Sequence, residues 1–270
     1  MYLSIANGLA CVLYGLVAVL MAQAVIRRAT PGPGAFAAGL SGVVLHGVGL
    51  AISIMLSPSL PGHAESLSVS GLALMVVTLM LRGDRVVVLQ VVLSALAGLA
   101  AAGALASPAG LHLETSGDRL SPWLVVHLAL IFVAVAGFVL EFFVGLVQVI
   151  VRRRLKSKAL VGLARLPSLE TLDTIQYRAL VTGLVALTFG ILAGGMFASG
   201  ILPHQEWLLD PKVAFTLVVW FWYALSFGLR LYAGWHGRWS MAFSALGFVG
   251  LVFSLVGLDF VTRGFHAYGG

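Results

Sequence analysis

The sequence predicts an all-α fold, a polytopic membrane bundle of about eight transmembrane helices. Three observations carry that prediction. The 270 residues are 60% hydrophobic and 10% charged, whereas a soluble domain carries about 25% charged residues. Mean hydropathy is +1.04. The apolar residues also gather into long runs, and a helix needs about 20 such residues to cross the hydrocarbon core.

Eight runs stand out, at about 3–26, 35–56, 67–81, 86–106, 123–151, 177–200, 212–232 and 241–261. The third is the shortest span. In the first, Ala22-Gln-Ala24 resembles a signal-cleavage site. No basic residue precedes it, however, and Arg27-Arg28 follow it, so it reads as a retained helix with its N-terminus outside. Alternating eight helices from there puts Arg27, Arg28, Arg82, Arg85, Arg152, Arg153, Arg154, Lys156, Lys158, Arg165, Arg178, Arg230 and Arg238 on the cytoplasmic side. Only Arg119, Lys212 and Arg263 face out, as the positive-inside rule requires. Both termini are then external. The expected organisation is a single integral membrane domain over 1–270, with N-terminal helices in 1–120 and a core in 121–270.

The net charge of +6 reflects basic loops at the surface of a lipid bilayer, with no nucleic-acid partner. Cys11, the only cysteine, lies in an apolar run. That excludes internal disulfides, Cys-x-x-Cys redox chemistry and covalent c-type haem attachment within the chain.

The longest polar segment, 152–176, opens with three arginines suited to a helix C-terminus. Ser168 reads as an N-cap, followed by Glu170 and Asp173 in the first turn, opening an interfacial helix that leads into the sixth span. Gly39-x-x-Gly42, Gly190-x-x-x-Gly194 and Gly247-x-x-Gly250 put small residues on helix faces, a close-packing signal in lipid.

The histidines are unevenly placed. His63, His112 and His204 fall in external loops, His266 follows the last helix, and His127 lies about a turn inside the fifth, just after Trp123. A polar ring at that depth needs a partner. It is either a packing histidine or a ligand to metal or haem iron. His46, mid-span in the second helix, is expected to hydrogen-bond across to a neighbouring helix. Glu141, the one acid well inside a span, is expected to pair with Arg230 at similar depth.

A polar loop with one Trp separates the sixth and seventh spans. Within it and just beyond, Trp207, Asp210, Pro211, Lys212 and Trp220 match the tryptophan-rich "WWD" region of the cytochrome c assembly membrane proteins, the CcsA/HemX-like group. Leu209, Val213 and Phe215 stand where that region usually has Trp, Glu and Trp. Pro167-Ser-Leu-Glu-Thr-Leu-Asp173, Gly234-Trp-His-Gly-Arg238, Ser121-Pro-Trp-Leu-Val-Val-His127 and Gly264-Phe-His266-Ala-Tyr-Gly269 also resemble segments of that family, from about residue 120 onward.

The resemblance implies a haem-handling protein of cytochrome c biogenesis in a bacterial-type cytoplasmic (inner) membrane. Non-covalent haem b would be held outside with His127 and His266 as axial iron ligands. Trp207, Phe215, Trp123 and Trp220 would form an aromatic platform, with Asp210 in the loop. Lys212, Arg119 or Arg263 would pair with the propionates. The implied partners are an apocytochrome c and a CcsB/ResB-like membrane protein, the chain offering no thiol chemistry and no assigned catalytic residue of its own and being a candidate subunit of a haem lyase or synthase system. Synthase members carry a further histidine two residues before the arginine matched by Arg230, where this chain has Gly228. That departure points toward the HemX-like branch. A regulatory or scaffold protein without stable haem, and a metal or small-solute transporter, are the alternatives.

Overall fold

Capping and hydropathy together set the helix boundaries. The structure, a computed structural model, describes residues 2–56, 63–107, 121–158, 166–199, 211–234 and 238–254. Among these the fold is all-α, with eight α-helices: α1 (Tyr2–Arg27), α2 (Pro33–Leu56), α3 (His63–Met80), α4 (Val87–Ala106), α5 (Pro122–Lys156), α6 (Leu169–Ser199), α7 (Pro211–Tyr232) and α8 (Arg238–Val252). A short 3-10 turn, Asp84–Val86, leads into α4. Six of the helices are long and apolar enough to cross a membrane, while α3 and α8 are shorter apolar helices. The chain is a multi-pass membrane protein.

Several ends differ from the hydropathy reading for local reasons. Pro122 starts α5 at a position where its missing N–H costs nothing. The helix continues to Lys156 because Arg153, Arg154 and Lys156 in its last turn complement the negative end of the helix dipole. Ser168 caps α6 as expected: its Oγ accepts the Thr171 N–H at 3.1 Å, and Glu170 follows in the first turn. From Leu169 the helix is continuous with the span, so the polar turns are its first two and not a separate interfacial piece. His63, expected in a loop, is the first residue of α3.

The chain divides into two compact units, 1–120 with 159–167, and 121–158 with 168–270. In the first, α1 packs on α2 and α4, and α3 packs on α4 and α2. Tyr14, Met75, Leu89 and Leu93 are its fully buried centre. Gly42 lets Tyr14 in, since a Cβ there would lie 2.8 Å from the ring's Cε1. His46 is fully buried and bonded at both nitrogens, as its depth demands: Nδ1 is 3.1 Å from Tyr14 Oη and Nε2 is 2.8 Å from Ser68 Oγ. The expected cross-helix partners are therefore on α1 and α3.

In the second unit α5 and α6 share the most extensive contact, α8 packs on α5 and α7, and α7 on α6. The α5–α6 backbones come close at Gly137, where a Cβ would sit 3.1 Å from Gly183 Cα and from Ala179 O. Phe138 of α5 stacks on Tyr223 of α7 with centroids 3.6 Å apart.

Candidate functional site

His127 lies on the second turn of α5, half-buried against α6. Its Nδ1 is 2.7 Å from the carbonyl oxygen of Gly190. A carbonyl can only accept, so Nδ1 carries the proton and donates. In the neutral ring that leaves Nε2 with its lone pair. Holding one ring nitrogen on a backbone carbonyl so that the other is free to ligate is how metal-binding histidines are commonly set.

The ring is also closely seated. A Cβ on Gly194 would stand 2.6 Å from His127 Nδ1 and 2.8 Å from Cε1. Gly190 and Gly194, noted in the sequence for packing alone, thus supply the acceptor and the space for this imidazole.

The aromatic residues of the candidate platform that are described fall on two helices, α5 and α7. Trp123 is one helical turn before His127 on the same face of α5 and is 45% exposed. On α7, Trp220 donates its indole N–H to Thr188 Oγ1 at 2.8 Å, and Thr188 donates in turn to Leu184 O at 2.7 Å. His127 and Trp220 therefore hold the same stretch of α6, at Gly190 and Thr188. Phe215, five residues before Trp220, meets Phe253 with ring centroids 5.1 Å apart. Lys212 is exposed in the first turn of α7. Trp207, Asp210 and His266, along with His112, His204, Arg119 and Arg263, lie outside the described residues.

Between α5, α6, α7 and α8 is a cavity of about 70 Å³, lined by Ile131, Leu187, Val219 and Leu251 among others. Ordinary ligand pockets measure about 300–1,000 Å³, so a porphyrin does not fit there. An apolar groove of about 450 Å³ runs along α7 past Trp220, Gly228 and Tyr232. Among the described residues no three His, Cys, Asp or Glu side chains come together as a metal site. The donor set present is one imidazole in its ligating tautomer beside exposed indole surface. Of the residues described, His127 is the one that could hold a haem iron, through Nε2.

The expected Glu141–Arg230 pair does not form. Ser244 donates to Glu141 Oε2 at 2.6 Å, and Gln176 Nε2 approaches Oε1 at 3.4 Å while its own Oε1 accepts from Gln148 at 3.1 Å. Arg230 instead lies 2.7 Å from Asp173 Oδ1, donates to Asp173 O at 2.9 Å and covers the Tyr177 ring at 5.3 Å. The first turns of α6 put an acid and an aromatic ring against the end of α7, nearer to the guanidinium than the carboxylate on α5.

A family model described as "Cytochrome C assembly protein" matches residues 60–266. The match begins ahead of residue 120, where the motif resemblance starts. Over 100 residues, 37% of this chain, the sequence is 36% identical to the cytochrome c biogenesis protein CcsA of Gloeobacter violaceus, covering 29% of that protein. It is 37% identical over 105 residues to the CcsA of Nostoc punctiforme, 39% of this chain and 30% of the relative. A longer match, 28% identical over 171 residues, covers 55% of this chain and 56% of the CcsA of a Synechococcus strain. The chain thus spans between about a third and about half the length of these curated relatives.

Proposed function

The chain belongs to the cytochrome c assembly protein family, and from that premise we propose that it handles haem in cytochrome c biogenesis. It holds non-covalent haem b at the external face of a bacterial inner membrane. His127 and His266 would hold its iron, and Trp207, Phe215, Trp123 and Trp220 would supply aromatic surface for the macrocycle, with Asp210 in the loop that carries Trp207. The single observation that carries this reading is the 2.7 Å bond from His127 Nδ1 to Gly190 O, which leaves Nε2 as the free nitrogen.

The chain's own part is to bind and orient. The carbonyl of Gly190 fixes which imidazole nitrogen is bare. Trp123 offers indole face one turn from it. The Thr188 hydroxyl holds Trp220 by its N–H and so keeps that ring from turning. Held by two neutral nitrogen ligands, haem iron would be low-spin, with a potential set by the ligands and their burial. Lys212 in the first turn of α7, Arg119 or Arg263 would pair with a propionate. Attachment to an apocytochrome c falls to other proteins, with a CcsB/ResB-like partner the expected one, because Cys11 is the only thiol of the chain.

Absorbance of the purified protein tests the reading. A Soret band with sharp reduced bands is expected. Both should be lost in His127→Gly and in His266→Gly, and both should return with added imidazole. A protein that stays colourless after expression with excess haem and after haem addition would overturn it.

A further inference from the structure

We propose that Gly194 is a positioning residue: with the Gly190 carbonyl it forms a seat on α6 that fixes the plane and tautomer of the His127 imidazole. This deepens the haem-ligand reading of His127 and rests on it.

Two independent features meet at this ring. One is polar, the bond from Nδ1 to Gly190 O. The other is steric. Any side chain at 194 would overlap the imidazole, with a Cβ 2.6 Å from Nδ1, 2.8 Å from Cε1 and 3.4 Å from Cγ. The residues are four apart, so the Gly190 carbonyl is also the acceptor that the helix ladder assigns to the Gly194 N–H. Imidazole and ladder share one oxygen, which has two lone pairs. The ring is thereby registered to a single turn of α6. Hydrogen bonding at Nδ1 raises the basicity of Nε2, and partners of this kind typically change metal affinity by about 10–100-fold when removed.

Gly183, elsewhere in the α5–α6 contact, does not touch this ring: a Cβ there would meet the Phe138 ring at 2.7 Å. It provides a packing control at the same interface.

The experiment compares Gly194→Ala with Gly183→Ala and His127→Gly in the full chain purified from haem-replete cells. The readouts are the optical spectrum, the midpoint potential and the low-spin electron paramagnetic resonance g-values, which report the ligand planes. Gly194→Ala should retain about 10-fold less haem, with displaced g-values and a shifted potential, and added imidazole should restore a low-spin spectrum. Gly183→Ala should keep the wild-type g-values whatever its thermal stability. If Gly194→Ala keeps the wild-type g-values and potential while His127→Gly loses the spectrum, the seat is refuted and the ligand reading stands. If Gly183→Ala displaces the g-values equally, the effect belongs to loosened packing and the seat is again refuted. If His127→Gly leaves the spectrum unchanged, the ligand reading itself falls.

Discussion

Ser244 on α8 donates a 2.6 Å hydrogen bond to Glu141 on α5, and both side chains are almost fully buried, at 1% exposure each. With Gln176 and Gln148 they form a polar thread through three helices of the second unit. Glu141→Ala removes the acceptor and leaves the Ser244 hydroxyl and a Gln176 amide buried without it. The expected loss is about 3 kcal/mol. Glu141→Gln keeps an oxygen for Ser244 and should lose less than half of that. Thermal unfolding in detergent measures both, and equal losses would show that the shape of the side chain matters more than its acceptors.

In the first unit, Tyr14, His46 and Ser68 are linked through both nitrogens of one buried imidazole. His46→Leu strands two hydroxyls and should cost about 2–4 kcal/mol, with Tyr14→Phe costing about 1–3 kcal/mol. The double variant should cost clearly less than the sum, since the two changes remove one interaction. Strict additivity in a double-mutant cycle would contradict the linkage.

The Trp220–Thr188 bond is only partly buried. Interhelical hydrogen bonds of this kind in membranes average about 0.6 kcal/mol in double-mutant cycles. A Trp220→Phe/Thr188→Val cycle should give a coupling of that order. The same variants should broaden the Soret band if the indole lies against porphyrin, a readout that the stability term alone does not move.

The family resemblance sets Gly228 against a histidine expected in synthase members. A Cβ there meets nothing within 4 Å, and the position borders the apolar groove along α7. Gly228→His should therefore fold normally and raise the ratio of Soret to protein absorbance above wild type. An unchanged ratio would show that an imidazole on this helix face recruits no second haem.

The eight helices were legible because apolar runs announce themselves, six of them by a length sufficient to cross a membrane. Their ends were not, since hydropathy ignores what happens after the apolar run stops. Basic residues extend α5 to Lys156, and a capped polar turn starts α6 at Leu169. Ser168 was readable because capping has a side-chain signature, and it caps α6 in the structure. Glu141 was misread for the converse reason. Depth along a helix follows from residue number, but which neighbouring helix a given face meets does not, and that decides that Ser244 and Gln176 face the carboxylate. The partner of His127 was invisible because it is a backbone carbonyl, which every residue has. The Gly190-x-x-x-Gly194 spacing was the one available hint, and on its own it signified no more than close packing.

Because α6 is gripped at Thr188 by one neighbour and at Gly190 by another, it works as a shared ruler. Neither the nitrogen on one flank nor the indole on the other can be reset alone by moving that backbone. One residue inserted ahead of Thr188 turns everything beyond it by about 100°, so both registrations would be lost in a single step.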